Sequence, residues 1–260
     1  MMPRFPVVVA ILVVTLVGSL TGCGAKPSAA ETSASPATSA TPTTTPSPVL
    51  PSAATLLRSA EASLAAATSL HITAAIVTSS GPFMYDVSGN RDGSNSKQIT
   101  TSNGPTGEVL VVDARVYFKG DATFLKAQEF PDAMITRLNG RYLGVDLSKL
   151  STSFSPKELS FMAFLDEARL LETDAAATQT VEMAELSGIP VYLVTSREAS
   201  GTTRFWITAD GKTRVLRLSG APSASPSATP SDVTVGEISF SEWNAVALFV
   251  APPASQVLMV

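Results

Sequence analysis

Apolar residues recur along this chain in three rhythms, and each predicts a different element. From Ala53 to Leu70, Leu56 or Leu57, Ala60, Leu64 and Ala67 return at spacings of three and four, which places them on one face of a helix. Ser52 stands where an N-cap belongs, and the alanine content favours the helix by propensity alone. From His71 onward the period drops to two. His71 to Thr78, Phe83 to Ser88, Lys97 to Ser102, Glu108 to Val112 and Val116 to Lys119 read as short strands. The breaks between them are Ser79-Ser80-Gly81-Pro82, Gly89-Asn90-Arg91-Asp92-Gly93, Asn103-Gly104-Pro105 and Asp113-Ala114-Arg115. Short strands with tight turns predict an antiparallel meander.

The centre changes period. Asp121 to Phe130 reads as a short helix or a loop, and Arg141 to Val145 as a strand. Ser155-Pro156-Lys157-Glu158 has the N-cap, the first-turn proline and the acidic third residue of a capping box. The helix it opens carries Leu159, Met162, Phe164, Leu165, Ala168 and Leu171 on a broad apolar face. Strands resume at Gln179 to Ala184, Val191 to Ser196, Arg204 to Thr208, Thr213 to Leu218 and Val233 to Trp243. In the last of these the apolar parity switches at Gly236, which predicts a β-bulge there. The pattern as a whole predicts an α+β fold. An N-terminal helix and one or two central helices accompany a large antiparallel sheet of about ten strands. A sheet that long curls, and its concave side is where the helices bury their apolar faces.

The third rhythm is unbroken. Phe5 to Leu20 carries no charge, follows Arg4, and ends in Leu20-Thr21-Gly22-Cys23. This is the layout of a secretory signal peptide, and the run is short for a membrane span of about 20 residues. Leu-Thr-Gly-Cys resembles the bacterial lipobox. The resemblance implies a diacylglycerol on the Cys23 sulfur and cleavage that leaves Cys23 as the new N-terminus. Gly24 to Pro51 holds six prolines and almost no large apolar side chain, so it cannot offset the entropy of ordering. It reads as a tether, with Thr41, Thr43, Thr44 and Thr45 as candidate O-glycosylation acceptors or as plain spacer. Ala221 to Ser231 is a second Pro/Ser tract, read as a long disordered hairpin loop. The expected organisation is therefore a leader over 1–22, a lipidated Cys and tether over 23–51, and one domain over 52–260.

Composition narrows the function. Apolar residues make up 45% of the chain and charged residues 15%, against about 25% charged in an average protein. A formal net charge of −4 speaks against a basic phosphate-tracking surface and hence against nucleic acid as a partner. One cysteine excludes an internal disulfide, and one histidine excludes a multi-His metal site. No glycine-rich phosphate loop is present, and no cofactor is expected.

Catalytic constellations are weak. Ser94-Asn95-Ser96-Lys97 matches the Ser-x-x-Lys of penicillin-recognising enzymes, but it sits in a turn entering a strand and lacks the partner motifs. His71 lies where the first helix is expected to give way to a strand, and no Gly-x-Ser-x-Gly elbow accompanies it. Helix capping or partial burial explains it better than catalysis. Asp166, Glu167, Glu172, Asp174, Glu182 and Glu185 read as a solvated helix end and strand face rather than as metal ligands. The chain is not expected to be an enzyme.

Order and motifs together resemble a family. The lipobox, the tether and the Ala/Leu helix are followed by Val116-Tyr117-Phe118-Lys119-Gly120 and the capped central helix. Then come Gly188-Ile189-Pro190-Val191-Tyr192, Phe205-Trp206-Ile207-Thr208-Ala209-Asp210-Gly211-Lys212, Ile238-Ser239-Phe240-Ser241-Glu242-Trp243-Asn244 and Ala251-Pro252-Pro253. This resembles the actinobacterial lipoproteins of the LppX/LprG type over most of residues 52–260. The resemblance implies the half-barrel shared with the LolA and LolB lipoprotein carriers, and a lipid or lipoglycan ligand carried across the cell envelope. Candidates to line its cavity are Tyr85, Val109, Val111, Tyr117, Phe124 and Leu125 from the first half. Phe161, Phe164, Leu165, Phe205, Ile207, Ile238 and Phe240 are the candidates from the second. The leading expectation is a non-catalytic lipid carrier on the extracytoplasmic face of the cell membrane, held by its N-terminal lipid. The alternative is a surface interaction or sensor lipoprotein with a filled core and an envelope protein partner. Cys23→Ala is expected to release the protein to the medium or block its processing. Unchanged partitioning into the detergent phase would show that Cys23 is not the anchor.

Overall fold

The computed structural model describes residues 49–78, 81–150, 160–168, 171, 173, 176–198, 201–220 and 235–260. The tether, Cys23, the capping box at Ser155 and the loop at Ala221 lie outside these.

The first helix, α1, spans Ala53–Ala66, with the Ser52 side chain accepting from the Thr55 N–H. It stops short of the expected Leu70 because Ala67 turns to an extended backbone after its N–H has bonded to Leu64 O. Leu70, fully buried, then belongs to the first strand, β1 (Ser69–Thr78). Four strands follow it as a meander: β2 (Gly81–Asn90), β3 (Ser96–Ser102), β4 (Thr106–Val112) and β5 (Arg115–Gly120). Asp113 and Ala114, with φ of 53° and 59°, form the two-residue left-handed turn that joins β4 to β5.

Two short helices come next, α2 (Ala122–Ala127) and α3 (Asp132–Leu138), then β6 (Tyr142–Asp146). The central helix is α4 (Phe161–Ala168). Among the described residues three helices therefore lie between β5 and β7, where one or two were expected. The second run is β7 (Thr178–Leu186), β8 (Ile189–Glu198), β9 (Gly201–Thr208), β10 (Val215–Gly220) and β11 (Val235–Ser241), closed by a short β12 (Val257–Met259).

The twelve strands of the described residues form one sheet, in the order β12-β6-β5-β4-β3-β2-β1-β11-β10-β9-β8-β7. It is open, with β12 and β7 at its two edges. It is mixed rather than wholly antiparallel, because β12 runs parallel to β6. The chain reaches that edge only after crossing the sheet with residues 244–256, and it arrives in the same direction as β6. The expected bulge at Gly236 is absent: the register with β1 runs unbroken from Val235 to Ser241. The irregularity lies instead between Val215 and Arg217 of β10.

Strand alternation divides the side chains into two faces. Leu70, Ile72, Ala74, Val87, Val194, Phe205, Ile207, Leu218, Ile238 and Phe240 are buried on an inner face with α1 and α4. Leu110, Val112 and Tyr117 point the other way and are covered by Phe249 and Ala251 of the returning C-terminal segment. Asn95 fastens that segment, its side-chain amide donating to Phe249 O and accepting from Phe249 N–H, both at 2.9 Å. Replacing Leu70 by Ala is expected to lower the unfolding free energy by about 2–5 kcal/mol in urea titration. Met84→Ala, on an exposed outer position, is expected to change it by less than about 0.5 kcal/mol.

Candidate functional site

The inner face is the candidate site, and the register shows which side chains reach it. Tyr85, Phe161, Phe205, Ile207, Ile238 and Phe240 are buried in one cluster, with Phe164 and Leu165 of α4 packed half-exposed against it. Tyr85 stacks on Phe164 with ring centroids 4.9 Å apart, and Phe83 stacks on Tyr85 at 6.5 Å. Leu125 is buried in a second cluster under α2 and α3, with Leu138, Leu143 and Phe118. Phe124 lies against the bare Cα of Gly107, where an alanine Cβ would collide with its ring. Its centroid is 6.1 Å from that of Phe118.

Val109 and Val111 share this face by register, because Val109 lies opposite Phe118 and Gln98, and Val111 opposite Ser96. Tyr117 does not. It lies opposite Leu110 and is buried on the outer face, beneath the C-terminal segment. Neighbouring residues on a strand face opposite ways, so Tyr117 and Phe118 cannot both be inner residues. Phe118, which is not among the sequence-derived candidates, takes the inner place on this strand. Its parity with Val109 across the Asp113-Ala114 turn is the signal that finds it.

Two features of the inner face are absent from the sequence pattern. On β3 the inner positions are polar: Ser96, Gln98 and Thr100 separate the cluster under α4 from the cluster under α2 and α3. Under α4 the space is filled. Phe161 has no exposed surface, Phe205 has 1% and Ile207 none. Ile76, Phe83, Met162, Phe164, Leu165, Leu171, Val181 and Tyr192 pack partly buried against this cluster, α4 lying over β1 and β2 and α1 against β7. Elsewhere, an open polar depression of about 530 Å³ is lined by Thr68, Ser69, Asn90, Arg91 and Asp92. Another of about 390 Å³ lies on the outer face between Lys97, Glu108, Tyr142 and the C-terminal segment.

The outer face holds the sole histidine. His71 is the third residue of β1 rather than a helix cap, and it is partly buried. Its Nε2 lies 3.0 Å from Asp86 Oδ1 on β2, and its Nδ1 lies 3.2 Å from Ser241 Oγ on β11 and 3.9 Å from Glu242 Oε1. The residue types are those of a Ser–His–Asp set, but the site does not supply the rest of that chemistry. It is built across three hydrogen-bonded strands, on the flat of the sheet. The Ser94 hydroxyl donates to Asp92 Oδ1 at 2.7 Å within its turn, while Lys97 on β3 pairs with Glu108 at 3.4 Å, so the two do not share a helix face. Glu182 and Glu185 are exposed on β7. Glu172 and Asp174 lie outside the described residues. Among the described residues, no three His, Asp or Glu side chains gather as metal ligands.

The sequence matches no protein-family profile and no curated protein. Among solved structures the fold is similar to the Mycobacterium tuberculosis lipoprotein LppX. The TM-score is 0.39 at 15% identity, over 76% of this chain and 100% of that one. It is also similar to an uncharacterised conserved protein of Thermus thermophilus, at a TM-score of 0.33 and 10% identity, over 80% of this chain and 99% of that one.

The hydrogen bond that His71 Nε2–H donates to the Asp86 carboxylate raises the pKa of His71 above its usual value. Burial opposes the shift, and the charges of Asp86 and Glu242 reinforce it. A raised folded-state pKa stabilises the fold fully below the unfolded value of about 6.5 and loses that contribution as pH rises through the folded value. The urea midpoint should therefore fall across that window in the native chain. In His71→Gln this histidine-linked fall should vanish. An identical pH profile in the two proteins would show the cluster to be energetically silent.

Proposed function

We propose that this chain is an extracytoplasmic lipoprotein that holds an acyl-chain ligand between α4 and the inner face of its sheet, without catalysis. On this reading 1–22 is the leader, Cys23 carries the lipid, 23–51 is the tether and 52–260 is one half-barrel-like domain. The supporting observation is the apolar border where α4 lies over β1 and β2: Ile76, Phe83, Phe164 and Leu165 pack against the core but stay partly exposed. An acyl chain is satisfied by such a border because it asks for apolar area and no fixed polar partner. The candidate residues that reach the inner face, Tyr85, Phe161, Phe164, Leu165, Phe205, Ile207, Ile238 and Phe240, are those the ligand would touch when α4 shifts.

A second reading has its own observation. The complete burial of Phe161, Phe205 and Ile207 suits a filled-core lipoprotein whose partner is a protein. Native mass spectrometry of the mature chain purified in the presence of lipid separates the two. The carrier reading expects adducts of lipid mass on the native protein and at least about tenfold fewer on Phe164→Asp, since a charge at that border opposes burial of a hydrocarbon there. A native protein free of adducts would leave the partner-binding reading in possession.

A further inference from the structure

The outer face of the sheet differs in charge between the two sides of β1. On the β2–β6 side its basic groups are answered. Lys97 pairs with Glu108 at 3.4 Å and Arg115 with Asp146 at 2.7 Å, and the Lys119 ammonium lies 5.2 Å from the centre of the Tyr142 ring. On the other side three arginines share the outer face. Arg204 of β9 lies opposite Thr195 on β8 and Ser219 on β10, and Arg197 and Arg217 stand two residues from these partners. The three therefore step diagonally across adjacent strands, about 7–8 Å apart. Arg217 meets Glu237 at 3.4 Å, and its guanidinium lies 5.9 Å from the centre of the Trp206 ring. Arg197 and Arg204 are exposed and have no acidic partner among the described residues. Thr195, Thr202, Ser219, Leu193 and Trp206 surround Arg204 on this face, and none is acidic. Glu182 is farther off, opposite Leu193 on the edge strand β7. An unbalanced positive patch thus stands on a chain whose formal net charge is −4.

We propose that this face binds a polysaccharide carrying carboxylate groups. Arg197 and Arg204 take its carboxylates, and a sugar ring lies over Trp206. The inference goes beyond the acyl-chain reading and is independent of it, since it uses the opposite face of the sheet. Charge complementarity sets the sign of the ligand, and the guanidinium fork matches a carboxylate with two parallel hydrogen bonds. The remaining groups select a glycan among polyanions. Trp206 is half-exposed and offers a flat apolar surface, while the hydroxyls of Thr195, Thr202 and Ser219 can both donate to and accept from sugar hydroxyls. A peptide finds less here, because β8, β9 and β10 are interior strands with neighbours on both sides, so no strand can be added beside them. A bilayer also finds little, because Leu193 and Trp206 are half-buried and leave no protruding apolar side chain beside Arg204 to insert.

The test uses the mature chain with Cys23→Ser, so that no acyl chain of its own confounds binding. The probes are polygalacturonate, its fully methyl-esterified form, poly-glutamate and oligothymidylate, each titrated at low salt. Polygalacturonate should bind, and its affinity should fall as salt is raised. The esterified form keeps the sugar backbone without the charge and should bind at least about tenfold more weakly. Arg197→Gln/Arg204→Gln should lose about tenfold or more in affinity for polygalacturonate, whereas Arg58→Gln/Lys126→Gln, which removes two exposed positive charges elsewhere, should match the native chain. All four positions are exposed, and matching urea midpoints would confirm that the variants are folded. No binding of polygalacturonate by the native chain would overturn the proposal, and so would equal binding by the Arg197/Arg204 variant. Equal or tighter binding of poly-glutamate or oligothymidylate would overturn it as well, by assigning the patch to an acidic protein or a nucleic acid. Lipid adducts on the native chain bear on the carrier reading alone, so the two proposals stand or fall separately.

Discussion

The ladder between β1 and β11 holds this molecule together. Seven residue pairs, from His71↔Ser241 to Val77↔Val235, join strands some 170 positions apart. On one side of that seam lie β2 to β6 with β12, and on the other lie β10 to β7. Apart from β12 on β6, each side is built of hairpins or near neighbours whose contacts are local. The seam alone makes them one sheet, and it must meet the entropy of closing a very long loop. Its inner side chains show how. Ile72 lies opposite Phe240, and Ala74 opposite Ile238, all of them buried beneath the helices. Backbone pairing sets the register, and the apolar area removed from water supplies the driving force. The outer side of the seam carries the His71 cluster, so the contact that titrates nearest neutrality sits on the fold's longest-range antiparallel pairing.

Given that seam, the division of labour between the faces follows from strand alternation. A one-residue slip would turn Ile72 and Phe240 outward and bring His71 and Ser241 into the core, which the apolar helices would reject. The inner face is nonetheless uneven. Gly107 leaves room for the Phe124 ring, which ties α2 to the sheet, and Phe118 stacks on Phe130 at 5.3 Å to complete that corner. Between this corner and α4 stand Ser96, Gln98 and Thr100 of β3. The polar strip keeps the two apolar clusters apart and leaves α4 with its own border of half-exposed side chains.

Local signals in the sequence carry over well, and long-range ones less so. The Ser52 cap, the strand from His71, and the turn at Asp113-Ala114 are governed by neighbours within a few positions, and they fold where the pattern places them. The C-terminal end of α1 differs from the pattern because Ala67 and Leu70 fit the helical spacing, yet Leu70 is needed more by the sheet than by the helix. β12 is not legible, because three residues show no period and their partner, β6, lies more than a hundred positions away. The apolar parity change at Gly236 needs no bulge, since Val235 and Ile238 hold alternate places in an unbroken register. At the candidate site, strand alternation puts Tyr85, Phe205 and Phe240 on the inner face and Tyr117 on the outer one, a difference of parity that residue type alone does not carry.

Why a site of this kind leaves so faint a trace follows from its chemistry. Catalysts and metal sites need particular atoms at particular distances, and those needs impose motifs. An acyl chain asks only for apolar area, so Val, Leu, Ile and Phe serve nearly interchangeably and no spacing is enforced. What such a site imposes instead is an excess: apolar side chains at positions that a simple core would leave polar. On the proposed reading the excess in this chain lies beside α4, where Phe83 stacks on Tyr85 and Tyr85 on Phe164, and where Phe83, Phe164 and Leu165 stay partly exposed at the border of the core.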